Sequence, residues 1–327
     1  VEPELKVQEI VISADDKNQF KRLDLLITHY LSDLSRSTVK RLFEEDHIYA
    51  DQTELELKKI PAAGTKIFIE LPEPIPTDLK PENIPLEILF EDDYLIIINK
   101  PAGLVVHPAP GNYTGTLVNA ILYLCPDLKG VGAEKRPGIV HRLDKGTSGI
   151  MVIAKEQKTH EGLVELFSNH DIERKYEAIT LGAPKDLSGK IETLIARHPT
   201  QRLKMSSQVK TGKKAVTFFK VTENFTKYAH LELKLETGRT HQIRVHLSQV
   251  LHTPILCDDL YGNGSAINQM PSKLKSLLEN YPHQLLHAKV LGFVHPITKE
   301  KLYFESSPPE IFQAALNFLR ENKNENR

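Results

Sequence analysis

The stretch from Pro72 to Pro85 carries five prolines and no hydrophobic periodicity. Proline fixes φ and withholds an amide hydrogen, so neither a helix interior nor a central strand can run through such a segment. It reads as a stiff linker that divides the chain into a short part and a long one. The expected organisation is a small module with a lead-in strand over 1–72, a linker over 73–85, a main domain over 86–321 and a frayed tail over 322–327. At 327 residues there is enough chain for two domains and at least one sizeable core.

Hydrophobic content of 40% and charged content of 26% are ordinary for a globular protein. No run approaches the roughly eighteen apolar residues of a membrane span, and Val1-Glu2-Pro3-Glu4-Leu5-Lys6 has no signal-peptide pattern. Cys125 and Cys257 lie far apart and outside any Cys-x-x-Cys pair, so reduced thiols, a cytoplasmic location and no membrane association are expected. No sustained heptad or large apolar surface pattern occurs, and a monomer is expected. The net charge of −1 excludes a wholly basic nucleic-acid coat but leaves room for local patches. Between Arg197 and Lys220 the cations Arg197, Arg202, Lys204, Lys210, Lys213, Lys214 and Lys220 occur without one Asp or Glu. That asymmetry suits a polyanion track, and a solvated loop would read the same way.

In the first part, Leu23, Leu26, Ile27, Tyr30 and Leu31 recur at helical spacing from Arg22. A second helix carries Val39, Leu42 and Phe43 with Ser35 or Ser37 at its cap. Strands are expected over 47–50 and 66–71, and Arg36, Lys40 and Arg41 cluster at the second helix. The long part reads as strands near 86–90, 94–99, 175–182, 215–221 and 229–235. Helices are expected from Gly115-Thr116, near 159–168 and from Pro309. Helices interrupting a mainly antiparallel strand series make an α+β, mixed-sheet domain.

Within it, His141-Arg142-Leu143-Asp144-Lys145-Gly146-Thr147-Ser148-Gly149 lies between the β-branched runs Gly138-Ile139-Val140 and Ile150-Met151-Val152-Ile153-Ala154. Strand, polar loop, strand is the expected form, with Asp144 held at the mouth of a sheet. A second segment, Thr237-Gly238-Arg239-Thr240-His241-Gln242-Ile243-Arg244-Val245-His246-Leu247, reads as a helix after Gly238. Its core face would be Ile243, Leu247, Val250 and Leu251, and Thr240, Arg244 and Ser248 would form a polar stripe. A carboxylate on a loop wants such a guanidinium, which favours the ionised form and can aim it through two parallel bonds. On the strand Arg174-Lys175-Tyr176-Glu177, Tyr176 is either core packing or a ring that stacks on a base.

Other chemistries fail on inventory. The helical pair His283 and His287 has protease spacing, but Gln284 stands where a zincin needs Glu. There is no Walker loop, and no Gly-rich loop or Asp-Phe-Gly to accompany the kinase-like His141-Arg142-Leu143-Asp144. No second acid in a comparable loop supports a glycosidase.

The blocks His141–Gly149, Lys175-Tyr176-Glu177-Ala178 and Thr237–Arg244, in this order, resemble the signature segments of the RluA-type pseudouridine synthases. Asn99 through Gly111, Gly115-Thr116-Leu117-Val118-Asn119-Ala120, and Leu286-His287-Ala288 through His295-Pro296 are similar to the RluD branch, which modifies large-subunit ribosomal RNA. The unit before them, with Arg22-Leu23-Asp24 and Leu34-Ser35-Arg36-Ser37, resembles the RNA-binding module named after the fourth small-subunit ribosomal protein. Departures from the pattern are Gly146, where an acid is common, Cys257, where Gly is usual, and Asp46 and Asp51-Gln52 in the first module. Neither Gly146 nor Cys257 is expected to touch the catalytic groups.

The resemblance implies isomerisation of uridine to pseudouridine in RNA, without cofactor or metal. Asp144 would serve as nucleophile or as base, Arg244 as its partner and Tyr176 as the ring stacked on uracil. Arg142 would enter the gap left by the target nucleotide, and His141 would contact RNA or brace the loop. Arg36, Lys40, Arg41, Arg202, Lys204, Lys213 and Lys214 would contact RNA phosphates. The expected substrate is a stem-loop of large-subunit ribosomal RNA; the same chemistry on transfer RNA or on several ribosomal sites, or a non-catalytic ribosome-assembly role, are the alternatives.

Overall fold

The computed structural model describes residues 6–31, 34, 36–44, 47–50, 53, 55–71, 79–108, 112–128, 131–133, 136–201, 203–262 and 270–323. The chain forms two compact units, Val1–Asp78 and Leu79–Arg327. Of the proline-rich stretch, 72–78 lies outside the described residues. From Leu79 the backbone is docked on the second unit. The Glu82 amide donates to the Asn119 carbonyl, Asn119 Nδ2 donates to the Lys80 carbonyl, and Leu79 and Leu86 pack on the main core.

The first unit runs β1 (Lys6–Val11), α1 (Ala14–Gln19), α2 (Leu23–Tyr30), α3 (Arg36–Glu44), β2 (Ile48–Tyr49) and β3 (Lys66–Leu71). β3 lies between β1 and β2, antiparallel to both. Leu23, Leu26 and Ile27 of α2, with Val39 and Leu42 of α3, close over Ile10, Ile67 and Ile69. Each such side chain contributes roughly 1.5–3 kcal/mol by leaving water. The sequence did not announce α1, whose Ala-Asp-Asp-Lys-Asn-Gln has no apolar face; a capping box between Ser13 and Asp16 starts it instead.

The second unit is built on a sheet of ten strands: β4 (Glu87–Glu91), β5 (Leu95–Lys100), β8 (Ser148–Ala154), β9 (Glu173–Leu181), β10 (Ser188–Arg197), β11 (Met205–Ser206), β12 (Lys213–Asn224), β13 (Tyr228–Leu235), β14 (Leu286–Val294) and β15 (Lys301–Glu305). The spatial order is β11-β10-β12-β13-β9-β14-β8-β5-β4, with β15 also on β14. All pairs are antiparallel except β14 with β8. A small ribbon of β6 (Gly132–Ala133) and β7 (Arg136–Pro137) precedes β8. The helices are α4 (Leu117–Leu124), α5 (Gln157–Asn169), α6 (Gln242–Val245), α7 (Ser272–Leu278) and α8 (Glu310–Glu321). β8 is buried along its whole length, whereas β13 alternates, with Ala229, Leu231, Leu233 and Leu235 in the core. The α+β, mainly antiparallel architecture is therefore the one expected.

The expected strand–loop–strand around Asp144 is half present. Ile139 makes a single bridge to Ile153, and only the run after the loop is a strand. β8 enters the sheet in parallel with β14, where Gly149 stands opposite Ala288 and Ala288 in turn stands opposite Tyr176. Gly149 has φ +121°, and a Cβ there would collide with the Ala288 backbone. Glycine is required at this crossing. That row of three residues brings the end of the Asp144 loop next to Tyr176 across one intervening strand.

Candidate active site

The Asp144 loop is pinned from several sides. The Asp144 carbonyl accepts from the Thr147 amide, closing a turn. Thr147 Oγ1 accepts from Gln284 Nε2, and Ser148 Oγ lies 2.9 Å from His287 Nδ1. Gly146 lies against Gln284, whose amide would meet any side chain at that position. Fully buried Lys100 donates to the carbonyls of Pro101, Leu104 and Lys145, tying the end of β5 to this loop. Burial pushes the Lys100 ammonium down to about 7 and the charge of Asp144 pulls it back up. His287 is on β14, so the pair His283 and His287 does not share a helix as expected.

His141 is turned inward. Its Nε2 accepts from the Val152 amide, and its ring stacks on Phe167 at 4.6 Å. Burial, with Arg174 nearby, pushes it down to about 3, so it is neutral. Of its two expected roles, bracing the loop is the one this geometry serves.

Arg244 reaches Asp144 from one hundred residues away. Its Nη1 donates to Asp144 Oδ2 at 3.3 Å, with side-chain exposures of 5% and 17%. The two parallel bonds go elsewhere: Nε and Nη2 donate to Asp258 at 2.7 and 2.8 Å. Asp258 is buried, and its Oδ1 also accepts from the amides of Leu260 and Tyr261. Asp259 adds a longer contact to Nη2 at 3.4 Å, and the Tyr261 ring lies 5.1 Å from the guanidinium carbon. Burial alone would lower the Arg244 pKa; the bonds and charges of Asp258 and Asp144 hold it above its ordinary value instead. The segment beginning at Cys257 thus reaches Arg244 through Asp258. Cys257 itself has φ +63°, a left-handed conformation that glycine adopts without the Cβ penalty.

The expected helix carrying Arg244 begins later than its periodicity suggests. His241, at φ +56°, interrupts the backbone, α6 spans only Gln242–Val245, and a π turn follows over His246–Val250. Val250 is partly exposed rather than in the core, and the Thr240–Arg244–Ser248 stripe does not form, because Arg244 is buried and Ser248 bonds the Tyr261 carbonyl. Buried Gln242 secures the short helix by donating to the Val216 carbonyl and Thr217 Oγ1 and accepting from Thr237 Oγ1 and the Arg239 amide.

Asp144, Tyr176 and Arg244 line one cavity of about 600 Å³, with His141 and Arg142. Tyr176 is 8% exposed; burial pushes its phenol up and Asp144 adds to the shift, so the ring is neutral. Arg136, Arg142, Arg174, Arg239 and Arg244 contribute five guanidinium groups, and Asp144 is the sole carboxylate among the described lining residues. Such a cavity has the size for a nucleoside and the charge for its phosphates.

The model for the family described as RNA pseudouridylate synthase matches residues 94–249. An RNA pseudouridine synthase of Aquifex aeolicus is 41% identical over 322 residues, covering 97% of this chain and 99% of its own. The ribosomal large subunit pseudouridine synthase D of Zymomonas mobilis is 41% identical over 304 residues, covering 91% and 93%. The solved structure of human RNA pseudouridylate synthase domain containing 4 superposes with a TM-score of 0.57 at 29% identity, covering 72% of this chain and 93% of that one.

The chain belongs to the RNA pseudouridine synthase family.

In this synthase, the basic stretch expected between Arg197 and Lys220 falls on β10, β11, β12 and their connections. Lys204 precedes β11, while Lys213 and Lys214 open β12. Arg202 lies outside the described residues. The stretch is less free of acid than its sequence: Glu192, on the neighbouring strand, pairs with Lys214 at 2.8 Å and Lys190 at 2.7 Å. In the first unit, Asp24 takes a fork from Arg22 and a second pair of bonds from Arg36, and Lys40 pairs with Glu44 at 3.7 Å. Arg41 belongs to α3, and its side chain is outside the described residues, as are Ser35, Asp46, Asp51 and Gln52. Sequence reasoning missed Lys100, Asp258, His241 and Tyr261. The departure at Cys257 was the available signal for two of them, Asp258 and Tyr261, which follow it closely in sequence. No helix among the described residues is long and apolar enough to cross a membrane.

Proposed function

We propose that Asp144 is the catalytic carboxylate of a synthase acting on uridines in large-subunit ribosomal RNA, without a cofactor. The observation that carries this reading is the Asp144–Arg244 ion pair in a cavity lined also by Tyr176 and by four further arginines, with no other carboxylate among the described lining residues. The C1′–N1 bond of the target uridine breaks, with its electron pair leaving on the uracil. Asp144 meets the sugar either as nucleophile at C1′ or as base toward a ribose proton. The released uracil turns beneath the Tyr176 ring and bonds C1′ through C5; C5 then loses its proton and N1 gains one. Arg142, exposed at the cavity, fills the gap left in the stem when the nucleotide turns out.

Phosphate contacts come from Lys204, Lys213 and Lys214 and from Arg36, Lys40 and Arg41 of the first unit, which acts as an RNA-binding module. The ribosomal substrate is supported by the names of relatives from Zymomonas mobilis and Pseudomonas aeruginosa, each a ribosomal large subunit pseudouridine synthase D. Mapping pseudouridines in cells with and without the protein tests it. Loss of specific large-subunit positions is expected; loss confined to transfer RNA would refute the ribosomal assignment.

A further inference from the structure

His241 stands in a left-handed conformation beside Asp144, and every polar atom of its ring has a direction. The Met205 amide donates to Tyr261 Oη at 2.7 Å, and Tyr261 Oη lies 2.8 Å from His241 Nδ1. The phenol is buried, and burial pushes it up to about 12, so it keeps its proton. Its oxygen already accepts from Met205, and its own hydrogen has His241 Nδ1 as acceptor. Nδ1 is then unprotonated and the imidazole hydrogen resides on Nε2. Nε2 lies 4.0 Å from Asp144 Oδ2.

Burial lowers the His241 pKa, with Arg244 and Arg142 adding to the effect and Asp144 and Asp258 opposing it. The ring that faces Asp144 is therefore neutral. Arg244 Nη1 addresses the same oxygen, Oδ2, and no described residue donates to Oδ1.

We infer that His241 is a positioning residue: its neutral Nε2–H edge faces Asp144 Oδ2 at 4.0 Å, beyond hydrogen-bond length in the free protein, and comes within donating reach once substrate fills the cavity, so that with Arg244 it secures Oδ2 and leaves Oδ1 to face the nucleoside. This rests on Asp144 being the catalytic carboxylate. Tyr261 fixes the tautomer, and it is itself oriented by the backbone of β11, in the segment that carries Lys204. Ser206 Oγ and the amide of Ser207 donate to Gln249 Oε1, tying that segment to the π turn that follows α6. A strand in the basic stretch is thereby connected, by two hydrogen bonds, to the histidine beside the carboxylate. The left-handed backbone at His241 belongs to the same arrangement, since strained conformations persist where surrounding contacts over-determine them.

The test is the histidine ¹⁵N spectrum of the free, full-length protein, with His241 assigned from its missing signal in His241→Asn. The wild type is expected to show Nε2–H with Nδ1 as acceptor, and Tyr261→Phe to abolish that preference while keeping the ring beside Arg244. In single-turnover assays on ribosomal RNA, Tyr261→Phe should slow conversion by about tenfold with unchanged RNA affinity. His241→Gln, which retains an N–H donor, should recover part of what His241→Ala loses. An Nδ1–H tautomer in the wild type, or a folded Tyr261→Phe protein of wild-type rate, would overturn the inference. A wild type that forms no pseudouridine would count against the catalytic reading instead, and the tautomer would still decide the role of His241.

Discussion

Replacing Asp258 by Asn separates the two jobs that the structure gives to Arg244. Asn keeps the acceptor oxygen for the Leu260 and Tyr261 amides and one bond to the guanidinium, but it removes the charge and presents an amide NH₂ to the other guanidinium edge. Arg244 is 95% buried by its side-chain exposure of 5%, so its charge is left with Asp144 at 3.3 Å and Asp259 at 3.4 Å. Breaking a buried pair by removing one partner costs about 3–5 kcal/mol. The two remaining carboxylates place the expected loss at the lower end, about 3 kcal/mol. Because the fork no longer fixes Nη1 against Asp144, turnover should fall about a hundredfold, the usual consequence of displacing a catalytic contact by an ångström. Denaturant unfolding followed on the second unit reads the first effect, and single-turnover conversion of RNA reads the second. Asp259→Asn is the control: that side chain is 74% exposed and should change stability by no more than about 0.5 kcal/mol. An Asp258→Asn protein with wild-type stability and rate would refute the reasoning.

Gly149→Ala should prevent β8 from meeting β14, reducing soluble protein and lowering the melting temperature of the second unit, because the added Cβ meets the Ala288 backbone. Neutralising Lys213 and Lys214 together should lower the slope of log K against log salt for RNA binding by about 1, with Lys213 giving the larger share because Lys214 already pairs with Glu192. An unchanged slope would contradict a phosphate role. In the first unit, bonds from Arg22 and Arg36 hold the Asp24 carboxyl down at about 2, below its ordinary 3.8. The unfolded chain therefore binds a proton there before the folded one does. This contribution is complete above about pH 4 and is lost as the pH falls through about 2. Hydrogen exchange at Leu26 and Ile27 in the full chain should show that acid sensitivity, and Asp24→Asn should remove it.

The site was legible where local sequence carried its chemistry. An Asp on a glycine-bounded loop before a β-branched run, a Tyr on a strand and an Arg beyond a Gly-Arg-Thr turn could each be placed on an element. Their convergence depends on the row Tyr176–Ala288–Gly149, which joins strands far apart in the chain and leaves no periodic mark. Asp258 was hidden for a related reason. A pair of acids in a turn looks solvated until a guanidinium from another segment covers one of them. His241 was read as part of a helix because Ile243 and Leu247 fit a helical period, and periodicity does not register one left-handed residue ahead of the first turn. Lys100 looked like an ordinary strand end, and only three converging carbonyls reveal it as a tie between β5 and the Asp144 loop. Glu192 shows the opposite error: an acid-free stretch of sequence acquires its acid from the adjacent strand.

The proposed chemistry depends most on one carboxylate. Asp144→Asn preserves the shape of the loop and its contact with Arg244 while removing the charge, so RNA affinity should stay within a few-fold and single-turnover pseudouridine formation should cease. Normal turnover by that variant would remove Asp144 from the chemistry and contradict the account at its centre.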